Sequence, residues 1–270
     1  MTEGFQLDEH GPGAYEKYLV PAFFEPCADA LIGLARPVPG EYTLDVACGT
    51  GVVASALARK VGSAGTVAAV DVNEQMVAFA AQSSNGPASL DWQVADAAAL
   101  PFIDSGFDLV TCQQGLQFFS DQATGVREMH RVLAPGGRMA LALWRPIEHN
   151  PAFEVVAETL ERHVSTEAGS MMRAPFSGPS IERLQQLLTT ASFVDIKGRI
   201  AHMAVRFPSP REFLRQEVVS SPLAGPVGAI DAAELAVLAK EVDRVLAPYT
   251  DHGGVVLPMQ TWLISARREW

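Results

Sequence analysis

The chemistry legible in this chain begins with a glycine-rich turn bracketed by carboxylates. In LDVACGTG (44–51) an apolar run ends in a turn that opens a helical pattern. Gly49 and Gly51 carry no β-carbon, so the backbone there can approach a ligand closely. The following helix would present free N–H groups at its first turn. Asp71 stands ~20 residues beyond the turn, the spacing at which an acid accepts hydrogen bonds from a ribose. Asp96, after a third apolar run, is placed to accept from an adenine amino group, with the backbone at Ala97 on the ring edge. Asp45 could meet a ligand ammonium group, which an amino-acid-bearing cofactor has and a nicotinamide dinucleotide lacks.

Taken alone, the turn is ambiguous. GTGVVA (49–54) also fits the dinucleotide fingerprint, so an NAD(P)-dependent oxidoreductase is a rival reading. Against it stand Asp45, the Asp96 segment and the absence of a Tyr-x-x-x-Lys pair. The three cysteines, Cys27, Cys48 and Cys112, are far apart, and neither CxxC nor HExxH occurs, so no metal site is expected.

The elements that must position these residues alternate. Strands are expected at 42–46, 66–70, 90–94, 107–112 and 138–144, helices at 51–60, 73–81 and 121–133, and a turn at 135–137. That rhythm indicates an α/β fold, a doubly wound, mostly parallel sheet with helices on both faces. Residues 13–35 have helical spacing that Pro21 and Pro26 should divide into short helices. In the second half helices are expected at 151–163, 180–190 and 231–246, a loop at 165–178, a long strand or strand pair at 193–207 and a last strand at 255–266. Residues 1–12 read as a loose polar segment.

As a set, LDVACGTG (44–51), AVDVNEQMV (69–77), VADAAALPF (94–102), FDLVTCQQGLQFFSD (107–121) and REMHRVLAPGGRMALALW (127–144) resemble the motifs of class I S-adenosylmethionine (SAM)-dependent methyltransferases. They are most similar to the branch (methyltransferase type 11) that includes the ubiquinone/menaquinone-biosynthesis C-methyltransferases. The resemblance covers roughly residues 40–145. It implies a Rossmann-like seven-stranded sheet whose last strand is antiparallel. It also implies that Ala47, Gly49 and Gly51 line the methionine part of SAM, that Asp71 holds the ribose with Val72 and Met76 beside the adenosine, that Asp96 and Ala97 take the adenine, and that Gln113 lies near the methionine end. The expected activity is methyl transfer to a small-molecule acceptor, with a SAM-binding protein that transfers no methyl as the alternative.

Two regions fall outside the motifs. Residues 1–40 are expected to form an N-terminal helical cap on a domain at 41–270, with cap insertions at about 145–178 and 208–250. Their apolar content (Phe23, Phe24, Phe153, Phe176, Phe213, Leu214, Leu223) suggests an apolar pocket over the sulfonium. Tyr15, Tyr18, Gln114, Phe118 and Trp144 are candidates to touch the acceptor, and His149 is the candidate general base. The net charge of −11 disfavours nucleic acid and anionic membrane as partners, and no run of Lys or Arg is present. With no signal peptide and no apolar run of membrane-spanning length found, a cytoplasmic protein is expected, and an apolar cap would also suit a homodimer.

Overall fold

The structure, a computed structural model, describes residues 11–83 and 88–270. The part of the expected loose segment at 1–10 lies outside the described residues. Strands β1 (Tyr42–Val46), β2 (Thr66–Asp71), β3 (Ser89–Val94), β4 (Phe107–Gln113) and β5 (Leu133–Trp144) run parallel. β1, β2 and β4 are apolar runs buried almost throughout, as strands covered on both faces must be. β6 (Phe193–Phe207) and β8 (Gly254–Arg268) complete the order β3-β2-β1-β4-β5-β8-β6, with β8 antiparallel to both neighbours.

The expected strands and helices are present, with differences that have local causes. An eighth strand, β7 (Thr250–Asp251), is a two-residue arm folded back on β8, too short for any periodicity to show. The expected turn at 135–137 is a bulge within β5: Phe107 pairs with Leu133 and Leu109 with Arg138, so the residues between loop out around Gly136 at φ 75°. The segment expected as a loop at 165–178 holds a helix, Thr166–Arg173, whose first turn is capped by the Ser165 hydroxyl accepting from Ala168 N at 3.1 Å.

Pro21 and Pro26 do not divide the N-terminal helix, which runs from Gly11 to Ala35. Its Tyr15–Phe24 stretch is π-helical, and that wider winding accommodates Pro21, which has no N–H to donate. Pro26 falls at the start of the α-helical Glu25–Ala35 stretch, where a ring with fixed φ is tolerated. By length and composition this helix could cross a membrane, contrary to the expectation that no run is long enough. Its apolar side is used inside the fold, where Leu19, Phe23, Cys27 and Leu31 are buried.

Apolar layers cover both faces of the sheet. On one, Phe23 packs against Phe153 and Phe207 (6.0 and 5.7 Å between ring centroids), and Phe207 against Phe213 (5.1 Å). Phe213 and Leu214, expected in a pocket, are buried here. This cluster is continuous with Val53 and Leu57 of the helix Val52–Val61, so the expected cap segments share one core with the sheet.

A groove of about 700 Å³ at the edge of the sheet where β5 begins is lined by Arg36, Arg138, Lys197, Arg199 and Arg267 with Asp195. Cations dispersed along the sequence are thus gathered by the fold. Arg138 is already paired, donating to both carboxylate oxygens of Glu41.

Because cap and sheet share a core, urea should unfold the chain in a single transition. Phe207→Ala should lower the stability of the whole by ~3–5 kcal/mol. Two separable transitions, followed by circular dichroism and tryptophan fluorescence, would contradict the shared core.

Candidate functional site

The strand order places β1 and β4 side by side although their connections leave in opposite directions, β1 toward β2 and β4 toward β5. Such a switch point opens a crevice at the carboxyl ends of the strands. Here it is a cavity of about 510 Å³, in the range that holds small ligands. Two strained residues form its floor. Ala47, just past β1, has φ 57° and Gln114, just past β4, φ 53°. Left-handed backbone is costly for residues with a β-carbon and clusters at functional sites. The two turns fit together only because Gly115 has no side chain: a β-carbon there would stand 2.3 Å from Cβ of Ala47.

Ala47, Gly49, Asp71, Val72, Met76, Asp96, Ala97 and Gln113 all line this cavity, as do Tyr15, Gln114, Phe118 and Trp144. Gly49 has φ 54°, and a β-carbon on it would project into open space. Asp71 accepts from Gly49 N at 2.8 Å and from Asn73 N at 2.9 Å, which fixes the Gly turn and the next helix to one carboxylate. Burial pushes the Asp71 carboxyl up, opposed by those N–H groups. A carboxylate has about four acceptor positions, so two remain for a ligand. Asn73 caps the helix Glu74–Ser83 by accepting from Gln75 N and Met76 N (2.9 and 3.1 Å). Asp96 holds its own turn, accepting from Ala98 N at 2.8 Å. Val72 is 61% exposed, an apolar side chain left open at the cavity wall.

Gln113 donates from Nε2 to Phe24 O at 3.0 Å, and Gln117 from Nε2 to Pro175 O at 3.2 Å. In each the Oε1 is buried and has no donor. Leaving a buried acceptor unmatched is costly, so this wall suits a ligand that brings N–H groups. Gln114 is differently engaged. Its Oε1 accepts from Trp144 N at 2.6 Å and its Nε2 donates to Thr261 Oγ1 at 3.2 Å, tying β4 to β5 and β8. Tyr15 stacks on Phe24 with centroids 5.0 Å apart, closing the side formed by the N-terminal helix.

Four sequence candidates lie outside the cavity lining. Asp45 is buried and accepts from Thr111 Oγ1 at 2.8 Å, while its Oδ2 has no partner. Gly51 caps the helix Val52–Val61 at φ 93°, and its missing β-carbon makes room for Trp92, whose ring would lie 2.5 Å away. Tyr18 is held between Lys17 and Arg215 (4.9 and 5.0 Å to its ring centroid). His149 is exposed, with Nε2 2.9 Å from Nη2 of Arg145.

A second, smaller cavity of about 60 Å³ shares Phe24, Trp144 and Pro175 with the first. Its walls include Leu19, Phe23, Phe153, Phe176, Met171, Met172, Leu223 and Met259. Sequence reasoning named several of these but missed Gln117 as a cavity residue and the one carboxylate on the second wall, Glu217. The signal for Glu217 was available: it sits three and four residues after the apolar pair Phe213-Leu214, on the inward stripe of its helix.

The ubiE/COQ5 methyltransferase family matches residues 29–198 of this chain. The ubiquinone/menaquinone biosynthesis C-methyltransferase UbiE of Stenotrophomonas maltophilia is 39% identical over 110 residues, covering 40% of this chain and 44% of that protein. The chain therefore spans less than half the length of that relative. A demethylmenaquinone methyltransferase of Staphylococcus aureus is 30% identical over 171 residues, 59% of this chain and 70% of that protein. The crystal structure of the YcgJ protein of Bacillus subtilis has the same fold, with a TM-score of 0.60 at 19% identity over 90% of this chain and 98% of that one.

Burial pushes the Asp45 carboxyl up to about 7. An acid raised from its unfolded value near ~3.9 stabilises the folded state most when protonated, at low pH. That contribution is lost as pH rises through about 7. Asp45→Asn removes the titration and keeps an acceptor for Thr111. In urea titrations the variant should lose less stability than the wild type as pH rises over this interval; parallel profiles would contradict the buried, proton-retaining carboxyl.

Proposed function

This chain belongs to the ubiE/COQ5 methyltransferase family, and on that premise we propose that it transfers a methyl group from S-adenosyl-L-methionine to a small, quinone-related acceptor by in-line displacement. The observation that carries this reading is the meeting of Gly49, Asp71, Asp96 and two donor-seeking amide oxygens around one cavity of about 510 Å³. These residues fit the cofactor. The open space over Gly49 is a cradle that any β-carbon would fill.

In this reading Asp71 accepts from the ribose hydroxyls with the capacity its two backbone donors leave. Val72 and Met76 flank the adenosine, Asp96 and the backbone at Ala97 take the adenine, and Gln113 and Gln117 receive the ammonium of the methionine part. Asp45 lies beneath this end and acts through the Gly turn rather than by contact. When bound, SAM supplies a methyl group on a sulfonium that is already a good leaving group. The protein's share is then alignment and exclusion of water. Tyr15, Phe24 and Trp144 form the apolar wall that excludes it, and the adjoining cavity receives the reacting end of the acceptor. The acceptor class comes from the relatives named as quinone-pathway methyltransferases. Residues 11–35, 145–178 and 208–250 serve as its cover.

Calorimetric titration of the purified protein with SAM should give micromolar binding, weakened ~10–100-fold in Asp71→Asn through loss of charge-assisted hydrogen bonds. Failure of the folded wild type to bind SAM or S-adenosylhomocysteine would overturn the reading. Binding without formation of S-adenosylhomocysteine across hydroquinone acceptors would favour a protein that uses the cofactor without methyl transfer.

A further inference from the structure

The second cavity is apolar on nearly every side, and one ionisable group stands in its wall. Glu217, in the helix Pro210–Ser220, lines it together with Phe23, Phe176, Met171 and Met259. It makes no hydrogen bond or ion pair with any described residue. The two cations on its own helix are engaged elsewhere, Arg211 donating to Asp243 at 2.7 Å and Arg215 donating to both carboxylate oxygens of Glu212 and lying over Tyr18. The N-terminal helix packed against it carries one cation, Lys17, but that ammonium lies over the Tyr18 ring. Its contribution there is Tyr15, whose phenol feels Asp71, Glu16 and Glu217 together and is held neutral by burial. A carboxyl set against thioethers and phenyl rings with no partner costs stability, and such a cost is characteristic of groups kept for function.

We propose that Glu217 is the proton acceptor of an acceptor-binding subsite that adjoins the cofactor cavity and takes a largely apolar, aromatic molecule bearing a hydroxyl group. The inference rests on the methyl-transfer reading above. The phenyl and thioether walls match a flat apolar ring. An ammonium-bearing ligand fits poorly, because beyond Glu217 these walls offer little to replace its hydration. The hydroxyl proton passes to the Glu217 carboxylate. The electron pair it leaves behind raises the nucleophilicity of the acceptor, which forms its bond to the methyl carbon as the carbon–sulfur bond breaks and that pair stays on sulfur. Glu217, then a neutral carboxylic acid, returns the proton to solvent. Burial pushes the Glu217 carboxyl up to about 7, a value at which it can both take and release a proton near neutrality.

The test uses 2-naphthol as the probe hydroxyl and naphthalene as its apolar control, titrated into the full chain with and without S-adenosylhomocysteine. Naphthol should bind the wild type about tenfold more tightly above pH 8 than below pH 6, as expected for a hydrogen bond to a group that ionises near neutrality. Glu217→Gln should bind about tenfold more weakly at high pH and lose the pH dependence, and Glu217→Asp should recover part of it. Naphthalene should respond to neither pH nor substitution. S-adenosylhomocysteine should bind Glu217→Gln as it binds the wild type, because Glu217 lies outside the cofactor cavity lining. If S-adenosylhomocysteine binds but naphthol is indifferent to pH and to Glu217→Gln, or does not bind the wild type, the role of Glu217 is overturned and the methyl-transfer reading stands. If S-adenosylhomocysteine fails to bind the folded wild type, that reading falls instead.

Discussion

Two parallel strands that lie side by side but send their chains in opposite directions cannot both be covered at their ends. That constraint shapes this molecule at the junction of β1 and β4. After β1 the chain turns toward β2, and after β4 toward β5, and each leaves its strand through a residue in left-handed backbone, Ala47 and Gln114. The two turns touch, with Gly115 packed against the Ala47 side chain. The cavity above them is what the topology leaves uncovered. The Gly49 N–H is then free to meet Asp71 from the next strand, so one carboxylate ties the turn, the strand end and the following helix into one unit.

What covers this opening comes from distant parts of the chain. The N-terminal helix contributes Tyr15 and Phe24, the Ala174–Phe176 turn contributes Pro175, and β5 contributes Trp144. They are held by carbonyl acceptors: Phe24 O and Pro175 O each receive an amide hydrogen from a glutamine of the β4 end. Those two glutamines leave their own oxygens inward and unmatched. The polarity of the cavity is thus a by-product of how its lid is fastened.

The floor was legible in the sequence strand by strand. Of the lid, single residues such as Tyr15, Phe24 and Trp144 were legible but not the shape of the segments that carry them, for a physical reason. Asp71, Gly49, Asp96 and their strands are local: each lies at the end of an apolar run, and its position follows from the run. The covering residues depend on how separate helices pack. Pro21 suggested a break, yet a wider helical winding absorbs it. Ser165 through Gly178, rich in small residues and methionine, suggested a loop; Gly169 instead lets its helix approach Glu161 closely, where a β-carbon would stand 2.8 Å from Cβ of that residue. His149 looked well placed because it follows the β5 end, but its ring turns toward Arg145. Glu217 reads in the sequence as one more helical charge, and its inward position shows only once its helix is packed. The basic groove was invisible because its five cations come from four separated stretches of chain.

The antiparallel position of β8 has a consequence for the order in which the protein comes together. β6 pairs with β8, and β8 forms the bridge between β6 and β5. While the ribosome is still synthesising residues before 254, β6 has no strand beside which to lie. The Gln114 side chain, at the floor of the cavity, likewise waits 147 residues for Thr261. Contacts so far apart in sequence form slowly, because a long loop must close first. The nascent chain therefore passes through a stage in which the Gly turn and its carboxylate are already built while the far edge of β5 is bare. Of all the segments, β8 is the one whose late arrival converts that half-sheet into a finished sheet.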